Sequence, residues 1–474
     1  NNLGSLGSLR GRPEEALTHY RAALAAAPQR PDIHSNVILF LHYGPGERGG
    51  EIDAELREWN RRHAQPCARF IRPATNDRSP ERPLRIGYVS RDFRQHPVAF
   101  FLLPLLEAHD RRNFHVTCYS TSGVADQTTA RFQASADRWR SLVGVSDEAA
   151  AALIRDDAID VLVDLSGHTA GNRLPLFARQ PAPVQVGYLG FPGPTGVETI
   201  HWRLTDALAD PPGTDEANAP EQLVRLPETA WCFAPLSGAP PVAELPALRL
   251  GHVTFGCFNN FAKITEPMLQ LWSEILRQAP AARLVVKNLA LGNLSVRQQL
   301  QARFEAHGIS AACLELLAPQ PAPLDHLSSY HRVDLALDTF PYHGTTTTCE
   351  ALYMGVPVVT LAGTRHVARV GVSLLTNVGL LEFIARRSEE YVATAVSAAG
   401  DLDRLAALRS GLRERMQRSP LMDAPRFARH VEAAFRTRWR AWCAQAESAR
   451  AEAPPANGSP DAGLREPARL FRRA

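Results

Sequence analysis

Short apolar runs rich in valine, isoleucine and tyrosine alternate with helical patterns through the middle of this chain. The first series of runs lies at 84–90, 114–121, 159–165 and 184–189, with helical patterns at about 100–109, 126–137, 146–155 and 173–179. Strands that alternate with helices in this way are typical of a mostly parallel sheet with helices on both faces. The pattern therefore predicts a doubly wound α/β domain.

A second series of the same kind follows the first. Its apolar runs lie at 253–258, 284–287, 314–317, 333–337 and 356–361, again with helical patterns between them. The segment at about 208–250 is rich in proline and alanine, and we predict that it is the connection. Two Rossmann-like halves in tandem leave a cleft between them, and ligands bind such sheets at the carboxyl ends of the strands.

The first 30 residues resemble a tetratricopeptide repeat, which is a pair of antiparallel helices. The residues at the spacing of that repeat are Leu3, Gly4, Gly11, Ala16, Tyr20, Ala23 and Pro28. Small residues let two helices approach closely, Tyr20 fills the space between them, and Pro28 ends the second helix. One repeat cannot bury its apolar face alone, so we expect a helix at 32–41 or further repeats to cover it.

These patterns divide the chain into five parts. We predict a tetratricopeptide repeat with linker helices at 1–78, a first Rossmann-like half at 79–235, a second half at 236–423, a closing helix at 424–450 and a tail at 451–474. The tail contains proline, glycine and serine but few large apolar residues, so it is predicted to be disordered.

Composition excludes several classes of protein. The 474 residues are 45% hydrophobic and 21% charged, as in a soluble globular protein. A net charge of +3 is too small to indicate binding to nucleic acid or to an anionic membrane. No apolar stretch reaches the ~18 residues of a transmembrane helix, and the first residues show no signal-peptide pattern, so we expect a cytoplasmic protein.

The cysteines give no sign of a disulfide framework or a zinc site. There are seven, they lie far apart, and no two form a C-x-x-C pair. Buried reduced thiols explain an odd, scattered set best. The acidic pair Asp401 and Asp403 lies in an alanine- and leucine-rich helix and is predicted to be a solvated face, so no metal site is predicted.

A threonine run offers the clearest candidate chemistry. Gly344 is followed by Thr345, Thr346 and Thr347, between an apolar run and a helical pattern. At such a strand-to-helix junction, hydroxyls and free backbone N–H groups converge on the positive end of a helix dipole, which suits a phosphate. Glu350 ends the segment and is placed to accept a sugar hydroxyl. The segment therefore predicts a ligand with a phosphate and a polyol, such as a nucleotide.

Lys263 is a second candidate for phosphate binding. It follows the run at 253–258, and Thr265 and Pro267 then open a helix as a plausible N-cap and first-turn proline. A lysine at the carboxyl end of a strand is well placed to neutralise a pyrophosphate. A solvated surface lysine is the alternative.

Two histidines follow strands of the first half and compete for the role of general base. His96 lies just past the first predicted strand, and His168 follows the third. A neutral imidazole at the cleft can take a proton from an attacking hydroxyl. The glycine- and proline-rich loop at 187–196 either approaches a ligand closely or makes a tight turn. Neither a P-loop motif nor a G-x-G-x-x-G fingerprint is present.

Together these segments resemble the O-GlcNAc transferase/SPINDLY family of protein O-glycosyltransferases. The matching stretches are 84–97, 164–169, 179–196, 205–212, 253–263 and 334–375. The resemblance implies a helical repeat region followed by two Rossmann-like halves in the GT-B arrangement. It also implies an inverting, metal-independent transferase without a cofactor, whose donor nucleotide binds mainly the second half and whose repeats hold a protein acceptor.

The resemblance also implies roles for individual residues. Lys263 would hold the diphosphate and assist departure of the leaving group, and Asn260 would contact the donor. Thr346 and Thr347 would bind phosphate, with Gly344 and Thr345 in the same turn. Glu350 would bind the ribose of the donor, and His326 would pack against its nucleobase. His96 would act as the general base that takes the proton of the acceptor hydroxyl.

The sugar donor stays open at this point. Animal O-GlcNAc transferases have a histidine where this chain has Thr345 and an aspartate where it has Glu350, and the motifs are closer to the SPINDLY branch. That branch includes plant enzymes that use GDP-fucose, so UDP-GlcNAc and GDP-fucose are both expected donors. A repeat scaffold with an inactive catalytic half, or a glycosyltransferase with a small-molecule or glycan acceptor, are the alternatives.

Overall fold

Helices make up the N-terminal segment in this computed structural model, which describes residues 1–214, 220–320 and 323–451. They are α1 (Asn2–Leu9), α2 (Pro13–Ala26), α3 (Pro31–Leu41) and α4 (Gly49–Trp59), followed by short helical turns at Asn60–Ala64 and Gln65–Phe70. A proline lies in the first turn of both α2 and α3, where its missing N–H costs no hydrogen bond.

The predicted packing of the first two helices is confirmed. A Cβ atom at Gly4 would lie 2.6 Å from the ring of Tyr20, and one at Gly7 would lie 3.1 Å from the backbone of Ala16. The α1 and α2 helices therefore approach closely only because these positions lack a side chain. The predicted third helix is present as α3, and its residues Val37 and Ile38 are fully buried against the pair.

The first half is a seven-stranded parallel sheet in the order β3-β2-β1-β4-β5-β6-β7. Its strands are β1 (Leu84–Ser90), β2 (Phe114–Ser120), β3 (Arg138–Ser141), β4 (Val161–Asp164), β5 (Val184–Gly187), β6 (Trp202–Asp206) and β7 (Gln222–Leu226). Its helices are α5 (Ala99–Ala108), α6 (Gln127–Ala134), α7 (Asp147–Asp156) and α8 (Leu174–Phe177). All four strands that the sequence predicts in this half are confirmed.

Three strands of the first half were not predicted. The β3 and β7 strands form the edges of the sheet, and β6 lies next to β7. Each carries arginine within a short run, so none has a continuous apolar pattern. The segment at 208–250 is therefore not wholly a connection, because β7 lies inside it and pairs with β6 from Trp202↔Gln222 to Asp206↔Leu226.

The second half is a six-stranded parallel sheet in the order β10-β9-β8-β11-β12-β13. Its strands are β8 (Thr254–Cys257), β9 (Arg283–Lys287), β10 (Leu314–Leu317), β11 (Leu335–Leu337), β12 (Val358–Leu361) and β13 (Ile384–Ala385). The helices are α9 (Pro246–Leu250), α10 (Glu266–Gln278), α11 (Leu294–Ala306), α12 (Pro323–Ser328), α13 (Thr346–Tyr353), α14 (Val370–Asn377), α15 (Ser388–Ala399) and α16 (Leu402–Gln417). The five predicted strands are confirmed, and within the described part of this half the two-residue β13 is the strand that the sequence does not predict.

The last helix, α17 (Ala424–Ala451), returns from the second half to the first. Its apolar face buries Phe427, Val431, Phe435 and Trp439 in the same core as β1 and β2. A buried hydrogen bond of 2.9 Å from His109 to Glu432 fixes the helix against α5. The predicted closing helix is thus present, and the predicted disordered tail lies outside the described residues apart from Ala451.

The helical segment contacts both halves. Its core is continuous with that of the first half, where Leu56 lies so close to Gly196 that a Cβ there would be 2.9 Å away. Toward the second half, the Glu47 carboxylate accepts hydrogen bonds from the backbone N–H groups of Thr364 and Arg365, and Arg365 pairs with Asp53 at 2.8 Å. The segment therefore bridges the two sheets.

The cysteines and the acidic pair behave as predicted. All seven cysteines are free, and all except the half-buried Cys313 are buried. Asp401 is exposed and caps α16 by accepting from the backbone N–H of Arg404. Within the described ranges, no group of three histidine, cysteine or acidic side chains is arranged to hold a metal, and no helix there has the length and apolarity needed to cross a membrane.

Candidate active site

A cleft of about 550 Å³ lies where the helical segment and the two halves meet. Ser8 and Leu9 of α1 contribute to one wall, and residues after β1, among them His96 and Phe100, contribute to another. The second half supplies Phe258, Asn260, Lys287, His326 and Glu350. Because β1, β8 and β9 end here, the cleft lies at the carboxyl ends of both parallel sheets, as the sequence predicts.

The threonine run forms a rigid turn at the start of α13. The Asp338 carboxylate accepts from the backbone N–H of Gly344 at 2.8 Å, and the Thr348 hydroxyl donates to the Gly344 carbonyl at 3.0 Å. A Cβ at position 344 would lie 2.5 Å from the side-chain oxygen of Asn259, so only glycine fits. The turn presents Thr345, Thr346 and Thr347, each half-buried, together with the free N–H groups of the first helical turn.

Lys263 lies beneath this turn. It ends the short helical turn Phe261–Lys263, whose start Asn260 caps by accepting from the backbone N–H of Ala262 at 3.0 Å. The Lys263 ammonium donates to the carbonyl of His343 at 2.8 Å and lies 3.9 Å from the ring centroid of Tyr342. Burial lowers the pKa of Lys263 to about 8, and the nearby Asp338 opposes that shift. The structure thus brings together the two predicted phosphate-binding elements.

A second cationic group, Lys287, stands at the end of β9. Its ammonium lies 2.9 Å from His326 Nδ1 and 2.9 Å from the Ser329 hydroxyl, and the residue is only 4% exposed. Since Nδ1 of His326 accepts from the ammonium, its Nε2 carries the hydrogen that faces Glu350 Oε2 at 2.9 Å. Burial lowers the pKa of Lys287 to about 8, against the attraction of Glu350. His326 and Glu350 are therefore oriented before any ligand arrives.

The functional potential of Lys287 was missed from the sequence, although a signal was available. The chain has 52 lysines and arginines, and only Lys263 and Lys287 are lysines. Both follow or end apolar runs that were predicted to be strands. Phe258 and Tyr330 were also missed; their rings lie 4.6 Å apart beside His326 and form the apolar side of this pocket.

His96 lines the cleft on the side of the first half. Its imidazole is about one-third exposed, accepts from the backbone N–H of Val98 through Nδ1 at 3.3 Å and lies 3.7 Å from the Asp92 carboxylate. Burial lowers the pKa of His96, and Asp92 opposes the shift, so the ring is neutral at pH 7. Nδ1 is therefore the acceptor nitrogen of the ring, and its lone pair is engaged by the backbone N–H of Val98 in the unliganded protein.

The expectation that His168 faces the cleft is wrong. The residue is fully buried, with Nδ1 3.0 Å from the Ser35 hydroxyl and Nε2 2.8 Å from the carbonyl of Thr195. The rings of Trp59 and Phe191 pack against it edge-on. Burial lowers its pKa to about 3. The helical segment covers this strand end, so His168 joins that segment to the first half.

The glycine- and proline-rich loop at 187–196 packs against protein. A Cβ at Gly190 would lie 1.8 Å from the carbonyl oxygen of Leu165, and Phe191 lies against Gly167. The sequence left open whether the loop approaches a ligand or makes a tight turn. In the structure, the close approach at Gly190 is to the backbone of Leu165. The loop leaves the carboxyl end of β5, but none of its residues lines the cleft.

Known proteins share this architecture and identify the family of the chain. The model of glycosyl transferase family 41 matches residues 63–233 and 245–431. The chain belongs to glycosyl transferase family 41. The resemblance inferred from the motifs is therefore confirmed, as is the arrangement of two Rossmann-like domains.

Individual relatives of this family 41 chain include plant and bacterial proteins. A Solanum lycopersicum protein, named as a probable UDP-N-acetylglucosamine–peptide N-acetylglucosaminyltransferase SPINDLY, is 42% identical over 420 residues, covering 88% of this chain and 45% of that protein. A probable enzyme of the same kind from Arabidopsis thaliana, SEC, is 32% identical over 374 residues, covering 76% of this chain and 37% of that protein. The solved structure of a mutant Thermobaculum terrenum O-GlcNAc transferase superposes with a TM-score of 0.89 at 38% identity, covering 94% of this chain and 84% of that one. The chain spans less than half the length of the two plant proteins.

Proposed function

We propose that this protein is an inverting glycosyltransferase that moves a sugar from a nucleotide-sugar donor, UDP-GlcNAc, to serine or threonine side chains of proteins, without a metal. The observation that carries the proposal is the convergence of Lys263 with the threonine turn, where the Lys263 ammonium donates to the His343 carbonyl at 2.8 Å. The helix that this turn begins, α13, carries Glu350 to the wall of the cleft. Beside it stands the oriented set of Lys287, His326 and Glu350. The names of the relatives, which specify UDP-N-acetylglucosamine and a peptide acceptor, support the same reaction.

The donor would bind with its diphosphate on the threonine turn. The Thr346 hydroxyl and the free N–H groups of α13 suit phosphate oxygens, and Lys263 supplies a positive charge below them. The Thr347 hydroxyl donates to the Asn259 side chain and would exchange that hydrogen bond for one to a phosphate oxygen. The nucleoside would extend toward the pocket of Phe258 and His326, where Glu350 can accept a ribose hydroxyl. With a lysine and a helix dipole at the diphosphate, the protein itself supplies the charge that a metal provides elsewhere.

The reaction we propose is a single displacement at the anomeric carbon. The acceptor hydroxyl forms a new C–O bond as the bond from that carbon to the diphosphate breaks, with inversion of configuration. The hydroxyl proton goes to the imidazole of His96, and the negative charge of the departing diphosphate is stabilised by Lys263 and the threonine turn. Such preorganised donors usually supply the largest part of the rate enhancement.

A protein acceptor is supported by where the cleft opens. Ser8 and Leu9 of α1 form part of its wall, so a polypeptide lying along the helical segment would reach the reacting atoms directly. A small-molecule acceptor gains nothing from that wall. Intact-mass analysis of proteins co-expressed with this enzyme distinguishes the two, since only protein transfer adds a sugar mass to a polypeptide.

GDP-fucose is the second candidate donor. Thr345 and Glu350 depart from the animal O-GlcNAc transferases, and the chain is more similar to the SPINDLY-named protein than to SEC. Glu350 is held by His326 beside the nucleoside pocket, so it is placed to influence the choice of nucleotide.

The test is a side-by-side measurement with both donors. Binding of UDP, GDP, UDP-GlcNAc and GDP-fucose is measured by calorimetry, and donor hydrolysis by release of the nucleoside diphosphate. The proposal expects UDP-GlcNAc to bind and to turn over faster than GDP-fucose. Selective turnover of GDP-fucose would establish the second candidate, and a folded protein that binds none of the four would refute both.

A further inference from the structure

Tyr43 is a side chain of the helical segment that reaches the proposed threonine-turn part of the donor site. This tyrosine follows α3 and stacks on Tyr342, with ring centroids 4.8 Å apart and an angle of 26° between the planes. On its own segment, Tyr43 packs against Phe40 at 5.2 Å. Tyr342 belongs to the loop that precedes the threonine turn, so the contact crosses from the helical segment to the second half.

Tyr342 contacts Lys263 as well. The Lys263 ammonium lies 3.9 Å from the centroid of the Tyr342 ring, within the range of a cation–π interaction. The same ammonium donates to the carbonyl of His343, the residue after Tyr342. The chain of contacts Tyr43–Tyr342–Lys263 therefore links the helical segment to the cation proposed to hold the diphosphate.

The backbone of this loop is held independently of Tyr43. The Thr339 hydroxyl donates to the Tyr342 carbonyl at 2.7 Å, and the backbone N–H of His343 donates to the carbonyl of Val367 at 3.1 Å. The His343 ring is fully buried and is bonded to the Leu361 carbonyl at 2.9 Å. Loss of Tyr43 would consequently free the Tyr342 ring while leaving the path of the loop unchanged.

Several charged or titratable groups surround Lys263. They are Asp338 and Cys257, which favour its protonated form, and His343, whose own protonation the lysine disfavours. All three belong to the second half and stay in place when Tyr43 is altered. Any change in the titration of Lys263 on altering Tyr43 thus reports on the tyrosine stack.

We propose that Tyr43 is a positioning residue for the glycosyl transfer reaction. It holds the Tyr342 ring against Lys263, and this contact keeps the Lys263 ammonium in place under the threonine turn and shields it from water. The inference rests on the proposed function and deepens it. The helical segment becomes part of the donor site, in addition to forming a wall of the cleft.

The lysine content of the chain allows a direct test. Protein labelled with ¹³C-lysine gives signals from Lys263 and Lys287 alone, and Lys287→Arg assigns them. The Lys263 Cε signal is titrated without nucleotide in wild type, Tyr43→Ala, Tyr43→Phe and Leu41→Ala, where Leu41 is a fully buried α3 residue that serves as the matched control. Tyr43→Leu, which keeps apolar volume, replaces Tyr43→Ala if the latter does not fold.

We expect water to reach Lys263 in Tyr43→Ala, so its titration midpoint rises by roughly half a pH unit or more. Affinity for the nucleoside diphosphate should fall about fivefold, the size of a weakened cation–π contact. Tyr43→Phe should preserve both values because the ring remains, and Leu41→Ala should lower only the melting temperature.

An unchanged Lys263 midpoint in folded Tyr43→Ala, or an equal shift in Leu41→Ala, would overturn the inference. Failure of the wild-type protein to bind UDP or GDP would instead count against the proposed function. The two failures are distinguishable because the titration of Lys263 is measured without a nucleotide.

Discussion

Replacing Lys263 by methionine should change stability and donor binding in opposite directions. Methionine has nearly the length of lysine but no charge. In the unliganded protein, burial holds the pKa of Lys263 at about 8 instead of 10.5, which corresponds to about 3 kcal/mol against the charged form. Methionine removes that cost but leaves the His343 carbonyl without its donor, a loss of about 1–3 kcal/mol. The melting temperature of unliganded Lys263→Met should therefore equal or exceed that of wild type.

The pH dependence of this effect has a definite sign. Below pH 8 the lysine is protonated in both the folded and the unfolded protein, so the cost of burying its charge is fully present. As the pH rises from 8 toward 10.5, the folded protein releases the proton first, and the wild type gains stability relative to Lys263→Met. Any advantage of the variant at pH 7 should shrink by pH 10 in thermal melts at several pH values.

Donor binding should respond in the other direction. Removing one preorganised charged donor costs about 10²–10³ in rate, and the Lys263 ammonium is proposed to face two phosphates. Lys263→Met should consequently lose the thermal stabilisation by nucleoside diphosphate and at least about a hundredfold in transfer rate. Lys263→Arg keeps the charge, but the larger guanidinium must fit between Tyr342 and the His343 carbonyl, so it should rescue poorly. Near-normal turnover in folded Lys263→Met would refute the phosphate role.

Other measurements test the rest of the site. Lys287→Met should release His326 and weaken donor binding about tenfold, a loss typical of a buried charge-assisted hydrogen bond. The value of kcat should change less than donor affinity, and equal losses in kcat and affinity would contradict a binding role for Lys287. His96→Gln should lower kcat by about 10²–10⁴ and remove the loss of activity that the wild type shows at acid pH, where the His96 imidazole, whose pKa burial lowers, becomes protonated. Buried His42, His63 and His168, with pKa values lowered to about 3, 4 and 3, stay neutral in the folded protein while the unfolded chain is protonated below pH 6.5. Each of these three histidines should therefore lower the free energy of unfolding by about 2 kcal/mol at pH 5. A wild-type protein that is equally stable at pH 7 and pH 5 would contradict this expectation.

The strands that the sequence predicts correctly share one property, which is a continuous apolar run. Runs such as the one at 84–90 are buried on both faces of a parallel sheet except at Arg85, so most of their residues are apolar and the signal is strong. The missed strands β3 and β7 lie at the edges, where one side of the strand meets water and arginine is tolerated. These two segments form strands because they pair with β2 and β6, and their own residues give only a weak strand signal.

The candidate site was predictable where a local motif carries the chemistry. Gly344 and the threonines after it define a turn through hydrogen bonds within a few residues, so the sequence contains the whole feature. His168 and Lys287 show the limit of this reasoning. Both follow or end a strand at the carboxyl edge, yet His168 is covered by α3 and Trp59, whereas Lys287 opens on the cleft. Only the packing of distant elements distinguishes them.

The rarity of lysine in this chain has a physical explanation at the two positions that keep it. Among the described arginines, Arg203 and Arg409 are buried, and the others keep some exposure to water, where the planar fork binds carboxylates well. Lys287 is 4% exposed and has acceptors at His326 and Ser329, which suit the three hydrogens of an ammonium. The five N–H groups of a guanidinium would leave donors unpaired there, at a cost of about 1–3 kcal/mol each. Lys263 has one carbonyl and one ring face, and its remaining hydrogens are available to the proposed diphosphate. In a chain that otherwise uses arginine, lysine thus stands at the two positions where a compact charge is enclosed beside the proposed donor site.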